Sequence, residues 1–326
     1  MKRGLITWDK SELPPAAFES RAEAVRTALA ARDLPAMVVF TDIWRSNQGR
    51  HFSNFMPYWN RALIVLPREG APVLLCGLSP RVYPWIRSVT ILDEIRPSGN
   101  LPQKLFELCA ERDWKRIGVL DLSRLPGELS IPVRAGSVEM VEIPAGEVWP
   151  AADEWEVSMH QRAVLLARRI LDEELPGALG VSDHELTGRL ERAFRRAGAE
   201  DLVILTTDGS AAPHPPDGAM IGADSSVTVA VEYRGHWVKV SRPHPSSSVA
   251  GPLRGLYERA VKTPAAKWNQ PAYLETLSGP YPYESSEPGE IQSGTLFALH
   301  VEMESNGRRL FYGDTARQGP QGAELL

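Results

Sequence analysis

Residues 227–242 read Val-Thr-Val-Ala-Val-Glu-Tyr-Arg-Gly-His-Trp-Val-Lys-Val-Ser-Arg. Apolar and polar residues alternate on either side of Arg234-Gly235, the pattern of two strands joined by a tight turn. With that pair as the turn, Ala230 lies opposite Lys239, and Thr228 and Glu232 are its diagonal neighbours on the same face. A hairpin that aims a threonine, a carboxylate and an ammonium at one point is a site or the remnant of one.

The flanking segments set this hairpin in a second domain. A long amphipathic helix is expected from about Asp153 to Glu174, and Ser182-Asp183-His184-Glu185 is a capping signature opening a helix to about Arg196. Strands are expected at 202–205, 227–233, 236–241, 295–303 and 309–317, with a short helix at 253–262. Helices followed by antiparallel strands indicate an α+β layer. Residues 263–294 are rich in Pro, Tyr, Ser and Gly and are expected to be irregular.

The first half reads differently. A helix is expected over 14–33, with Phe18, Ala22, Val25 and Leu29 on one stripe, and another over 101–112. Buried strands are expected at 36–41, 62–67, 72–75 and 116–120. This alternation implies an α/β layer, and the Pro- and Gly-containing segment Ile143 to Ala152 is the expected linker. The domains are therefore placed at 1–148 and 149–326.

At 326 residues, two domains with ample core are the prior. The 36 Lys+Arg against 41 Asp+Glu give a net charge of −5, with no basic stripe for nucleic acid. No apolar run approaches the roughly 20 residues of a membrane span, and the N-terminus lacks an apolar signal core. Cys76 and Cys109 sit in apolar contexts without metal or redox spacing, so buried free thiols in a cytoplasmic protein are expected. Neither a Gly-rich phosphate loop nor a Gly-x-Ser-x-Gly elbow is present.

Val240-Ser241-Arg242 resembles the end of the metal-binding hairpin of the creatinase / aminopeptidase P / prolidase family, in which two Asp stand eleven residues apart. Asp208-Gly209-Ser210-Ala211-Ala212-Pro213-His214 resembles that family's segment ending in Pro-His. Gly294 to Val301 resembles its strand ending in Glu-Pro, and Gly313-Asp314-Thr315 with Gly322-Ala323-Glu324-Leu325-Leu326 resembles its closing motifs. The resemblance spans about half the chain. It implies a two-domain protein: an N-terminal α/β domain and a C-terminal α+β domain of pita-bread form. It also implies a homodimer.

The family holds two divalent metals with two Asp, one His and two Glu. Onto four of those positions fall Thr228, Lys239, His300 and Gly313, and no histidine lies between His244 and His300 to serve as the fifth. A metal site needs several carboxylate or imidazole ligands on one ion, and an ammonium there repels it. The chain is therefore read as metal-free, with no cofactor. Creatinase, by the same resemblance, hydrolyses a C–N bond without metal.

Each candidate residue has two readings. Lys239 stabilises developing charge on an amide oxygen or binds a substrate carboxylate, or it fills the former metal cavity in a salt bridge with Glu232. Glu232 is a general base or that counter-ion. Thr228 touches substrate or merely lines the cavity. His214 matches the family's proton-handling histidine, or is an idle loop residue. His300 and Glu302 share a face of their strand, and either orient water or an amine, or form a polar network with Lys239. Asp314 faces away from the Gly313 side and is read as structural. Arg61, beside Tyr58 and Trp59, falls where the family has an Arg that reaches the neighbouring subunit's pocket, and would clamp a carboxylate; otherwise it is a surface Arg. His244 lines the same pocket or none. His160 and His184 are expected at the surface, and His236 against Trp237.

The expected activity is metal-independent hydrolysis of an amide or related C–N bond in a small carboxylate-bearing molecule. An N-deacetylase of natural-product (antibiotic) biosynthesis is one expected form of this activity. The alternative is a catalytically silent pseudo-peptidase that binds a peptide or protein.

Overall fold

In the computed structural model, the described residues are 6–135, 137–210, 212–263, 272–276, 284–285, 293–305, 307–320 and 322–326. The chain divides into two compact units, Lys2–Pro150 and Ala151–Leu326.

The N-terminal unit runs α1 (Pro15–Ala31), β1 (Ala36–Thr41), α2 (Asn47–Ser53), β2 (Ala62–Pro67), β3 (Val73–Cys76), α3 (Tyr83–Val89), β4 (Glu94–Pro97), α4 (Leu101–Glu111), β5 (Arg116–Leu120), α5 (Gly127–Ala135), β6 (Glu139–Ile143) and α6 (Ala145–Val148). Its sheet has the order β4-β3-β2-β1-β5-β6. The central strands are apolar throughout because both faces are covered. Met37 and Val39 of β1 pack with Leu29 and Phe52 on one side. Val38 and Phe40 pack with Leu105 and Leu108 on the other. Cys76 and Cys109 are buried and free, and burial pushes the Cys109 thiol up to about 11. The expected linker 143–152 contains the helix α6, whose Val148 is buried in the first core. That burial is what gives the short segment its structure.

The C-terminal unit runs α7 (Glu154–Glu174), α8 (Asp183–Arg196), β7 (Asp201–Thr207), β8 (Ser226–Tyr233), β9 (His236–Pro243), α9 (Ala250–Val261), β10 (Ala272–Thr276), β11 (Glu284–Ser285), β12 (Leu296–Ser305), β13 (Arg308–Gly319) and β14 (Gly322–Leu325). A capping box of Asp153 and Glu156 opens α7, and the Ser182 hydroxyl accepts from the Glu185 N–H at the start of α8. The sheet order is β11-β10-β12-β13-β9-β8-β7, with β14 on β13. The expectation of irregular chain over 263–294 is corrected at two places. Ala272–Thr276 pairs antiparallel with β12, and Glu284–Ser285 pairs with it in turn. An open edge on β12 supplies the partners that local composition did not advertise. Residues 264–271, 277–283 and 286–292 of that stretch lie outside the described residues.

One face of this sheet is covered by helices. Val227, Val229 and Val231 of β8 and Val238 and Val240 of β9 pack against Ala163, Ala167 and Ile170 of α7 and Leu186 and Leu190 of α8. Phe297, Leu299 and Val301 of β12 pack against Leu253 and Tyr257 of α9. The pleat therefore sends the alternate residues of all three strands to the opposite face.

Candidate active site

The β8–β9 turn fixes everything downstream of it. Arg234 and Gly235 both have positive φ, 51° and 85°, as a two-residue primed turn requires. Glu232 then faces Trp237, Ala230 faces Lys239, and Thr228 faces Ser241. This is the expected register. The face is not open to water: Thr228, Glu232, Lys239 and Ser241 are all buried.

Register continues the line across the sheet. Ser241 pairs with Gly313 of β13, and Gly313 pairs with His300 of β12. Thr228, Ser241, Gly313 and His300 thus form one row over four strands. The Thr228 and Ser241 hydroxyls lie 2.7 Å apart. Ser241 Oγ lies 3.0 Å from His300 Nδ1, although a strand intervenes. Gly313 makes that reach possible. A Cβ at 313 would clash with His300 Nδ1 and lie 2.6 Å from the Leu299 carbonyl oxygen.

Lys239 sits one pleat along. Its backbone N–H donates to Thr315 Oγ1 at 2.9 Å, and the same hydroxyl donates to its carbonyl at 3.1 Å. A side chain here takes over part of the β9–β13 ladder. Burial, then the positive charges of Lys239 and Arg242, hold His300 well below the ordinary histidine value. His300 is therefore a neutral imidazole at physiological pH.

On the far side of the same strands, Asp314 receives Arg242 at 3.1 and 3.0 Å and Arg168 Nε at 3.0 Å. Arg242 also donates to the Ser241 and Gly313 carbonyls and stacks over the Tyr312 ring at 4.4 Å. The reading of Asp314 as structural agrees with this clamp, which pins β9 to β13 behind the row.

The other sequence candidates do not join the row. His214 is held by a backbone bridge to Thr206, and its Nδ1 meets the Pro215 carbonyl at 2.8 Å. Among the described residues it makes no bond to Lys239, His300 or Glu302. Glu302 does not hold His300; its carboxylate lies 3.7 Å from Arg309, its diagonal neighbour on β13. His244 is buried and accepts from the Ser246 N–H at 3.2 Å. Burial lowers its pKa, the Leu175 backbone partly opposing. Leu175 belongs to the helix-covered core, so His244 does not line the Lys239 face.

In the N-terminal unit, Arg61 pairs with Glu128, and Tyr58 packs on Trp59 and edge-on to Trp85. His184 is exposed as expected, but His160 is buried, its ring 5.0 Å from that of His236. The α7 helix carrying it packs on the hairpin strands, which brings the two rings together.

No protein-family model matches the chain, and no curated protein matches it either. Solved structures do match. The X-Pro aminopeptidase of Thermotoga maritima MSB8 superposes with a TM-score of 0.72 at 14% identity, covering 93% of this chain and 96% of that one. The recombinant prolidase of Thermococcus sibiricus gives 0.70 at 15%, covering 94% and 96%. The Xaa-Pro dipeptidase of Bacillus anthracis gives 0.70 at 14%, covering 94% and 97%. The fold is that of the creatinase / aminopeptidase P / prolidase family. Two domains with a C-terminal pita-bread sheet follow from it.

Within that fold, the donor set does not fit the metals the resemblance implies. Thr228, Lys239 and Gly313 bring a hydroxyl, a buried ammonium and no side chain. No cluster of three His, Cys, Asp or Glu that could hold an ion occurs among the described residues. Ser241, Gly313 and Thr315 are the site residues that sequence reasoning left without a role. Ser241 was within reach, since the hairpin register that pairs Ala230 with Lys239 also pairs it with Thr228. No helix among the described residues is long and apolar enough to cross a membrane.

Proposed function

We propose that the C-terminal unit hydrolyses an amide or related C–N bond of a small carboxylate-bearing molecule without a divalent metal. The observation that carries this reading is the buried polar face: the Lys239 ammonium and the neutral imidazole of His300 lie on it, at positions that the resemblance assigns to metal ligands. Lys239 would stabilise the charge that develops on the amide oxygen, a contribution worth most in a water-poor site. Glu232, its diagonal neighbour by register, would serve as base. One ammonium is a weaker electrophile than two ions, which favours a well-positioned substrate such as an N-acetylated amino acid. Removal of that acetyl group, as in natural-product biosynthesis, is the specific reaction proposed. The X-Pro peptidase names of the similar structures support amide hydrolysis as the reaction class.

In the same reading the protein is a homodimer in which Arg61 exchanges Glu128 for a substrate carboxylate, with Tyr58 beside it. A second reading, a silent peptide- or protein-binding module, is favoured by the engagement of Glu302 with Arg309 and by the position of His214 off the row. Turnover of N-acetyl amino acids and X-Pro dipeptides in the presence of a chelator separates the two. Under the hydrolase reading one of these substrates is cleaved, and Lys239→Met lowers kcat by about 10²- to 10³-fold. Activity that appears only on adding zinc or manganese sinks the metal-free proposal. Peptide binding without cleavage of any member favours the module.

A further inference from the structure

In the sheet of the N-terminal unit, β1 and β5 are neighbours and run parallel. The chain leaves their carboxyl ends in opposite directions. After β1 it enters α2, whose Phe52 packs on one face of the sheet with Met37 and Val39. After β5 it runs towards α5, and Leu122, Leu125 and Leu129 pack on the other face with Val38. Connections that diverge from adjacent parallel strands open a crevice, the place where open α/β sheets take small molecules. A cavity lies at this point. Phe40 and Leu120, at the ends of the two strands, line it together with Leu125.

Four polar side chains complete the lining: Arg45, Asn47, Gln48 and Asp121. Asp42 Oδ2 accepts from Arg45 Nε at 3.1 Å and from Nη2 at 2.7 Å, and the guanidinium lies 4.8 Å from the centre of the Phe40 ring. Arg45 Nη1 makes no bond among the described residues, and neither does the Asn47 carboxamide. Gln48 Nε2 donates to Asp121 Oδ2 at 2.5 Å, which leaves Oε1 to accept. Asp121 Oδ1 accepts from the Ala145 N–H at 2.9 Å. A carboxylate has about four acceptor sites, more than these two bonds use.

The charges set the class of ligand. A guanidinium and a carboxylate face one crevice. A simple anion meets the repulsion of Asp121, and a simple cation that of Arg45. A ligand with both charges answers both. The enclosed part of the crevice has room for about one water, so the two charges must stand close together. An α-amino acid carries them on a single carbon. We propose that this crevice binds a small α-amino acid. Its carboxylate takes Arg45 Nη1 and the Asn47 amide, its ammonium takes Asp121 and Gln48 Oε1, and its side chain rests against Leu125. The site lies wholly within the N-terminal unit and requires neither Lys239 nor His300.

Isothermal titration calorimetry of the full chain with glycine and L-alanine tests this. Saturable binding is expected by about 10 mM, where a millimolar site is roughly nine-tenths filled. Acetate and methylamine, with one charge each, should bind about tenfold more weakly than L-alanine. Arg45→Met and Asn47→Leu should each weaken L-alanine about tenfold. The Asn47 carboxamide holds nothing in the fold, so its variant reads the site even if Arg45→Met disturbs the loop around Asp42. Lys239→Met should bind L-alanine as the parent does. No saturation by about 10 mM with either amino acid overturns the proposal. Acetate bound as tightly as L-alanine overturns the amino-acid assignment. Parent-like affinity in Asn47→Leu, or its loss in Lys239→Met, puts the binding elsewhere and overturns the site.

Discussion

Gly313 decides more about the site than any charged residue does. The missing side chain is what lets His300 lean across β13 to Ser241. Gly313→Ala should therefore cost about 2 kcal/mol by overpacking and break the His300–Ser241 bond. Urea denaturation reads the first effect and the His300 resonances the second. An unchanged midpoint would mean that the ring moves aside freely and is not held by the row. The same residue marks where the sequence stopped being informative. That Lys239, Thr228 and Glu232 share one face of the hairpin was legible, because a two-residue turn and a period of two fix its register locally. That His300 reaches Ser241 was not, because it depends on β9 pairing with β13, 72 residues apart in the chain at the Ser241–Gly313 pair. Glu302 misled for the same reason: alternation put it beside His300, but a cross-strand Arg309 claims it.

At the scale of elements, the two hairpins β8–β9 and β12–β13 are joined by one buried ionic clamp. Arg242 and Arg168 share Asp314, and Arg242 also caps the carbonyls of Ser241 and Gly313. Removing one partner of a buried pair costs about 3 kcal/mol or more. Arg242→Met should fall at the lower end of that cost, because Arg168 still faces Asp314. The double variant Arg242→Met, Asp314→Leu should be more stable than the sum of the single effects by about 1 kcal/mol. Additive losses in urea denaturation would show that the clamp does not act as a unit. The elements that carry these residues were readable, since their faces alternate cleanly. Short edge pieces were not. β4 and β6 are mostly half-exposed, so they carry no apolar run, and β10 lies in a segment whose composition suggests loop.

Over the whole molecule, the fold was legible because order and spacing of weak motifs survive where identity does not; the solved structures that superpose share only 14–15% of their residues with the chain. The chemistry was less legible, because buried hydroxyl, ammonium and imidazole groups carry no local motif that names a reaction. Burial of such groups has a consequence for stability. His160, His244 and His300 all have pKa values lowered chiefly by burial. A histidine that resists protonation when folded takes up its proton more readily when unfolded. Its contribution to stability is complete above the unfolded value of about 6.5 and is lost as pH falls below it. Unfolding free energy should therefore decline from pH 7 towards pH 5, each imidazole adding at most about 1.4 kcal/mol per pH unit. In His300→Gln the decline should be shallower. In Lys239→Met the His300 ring, relieved of a neighbouring cation, should titrate higher than in the parent. Urea denaturation at a series of pH values tests the slope, and histidine NMR tests the titration. A flat profile above pH 5, or a His300 that titrates lower without Lys239, would remove the electrostatic coupling on which the neutral imidazole depends.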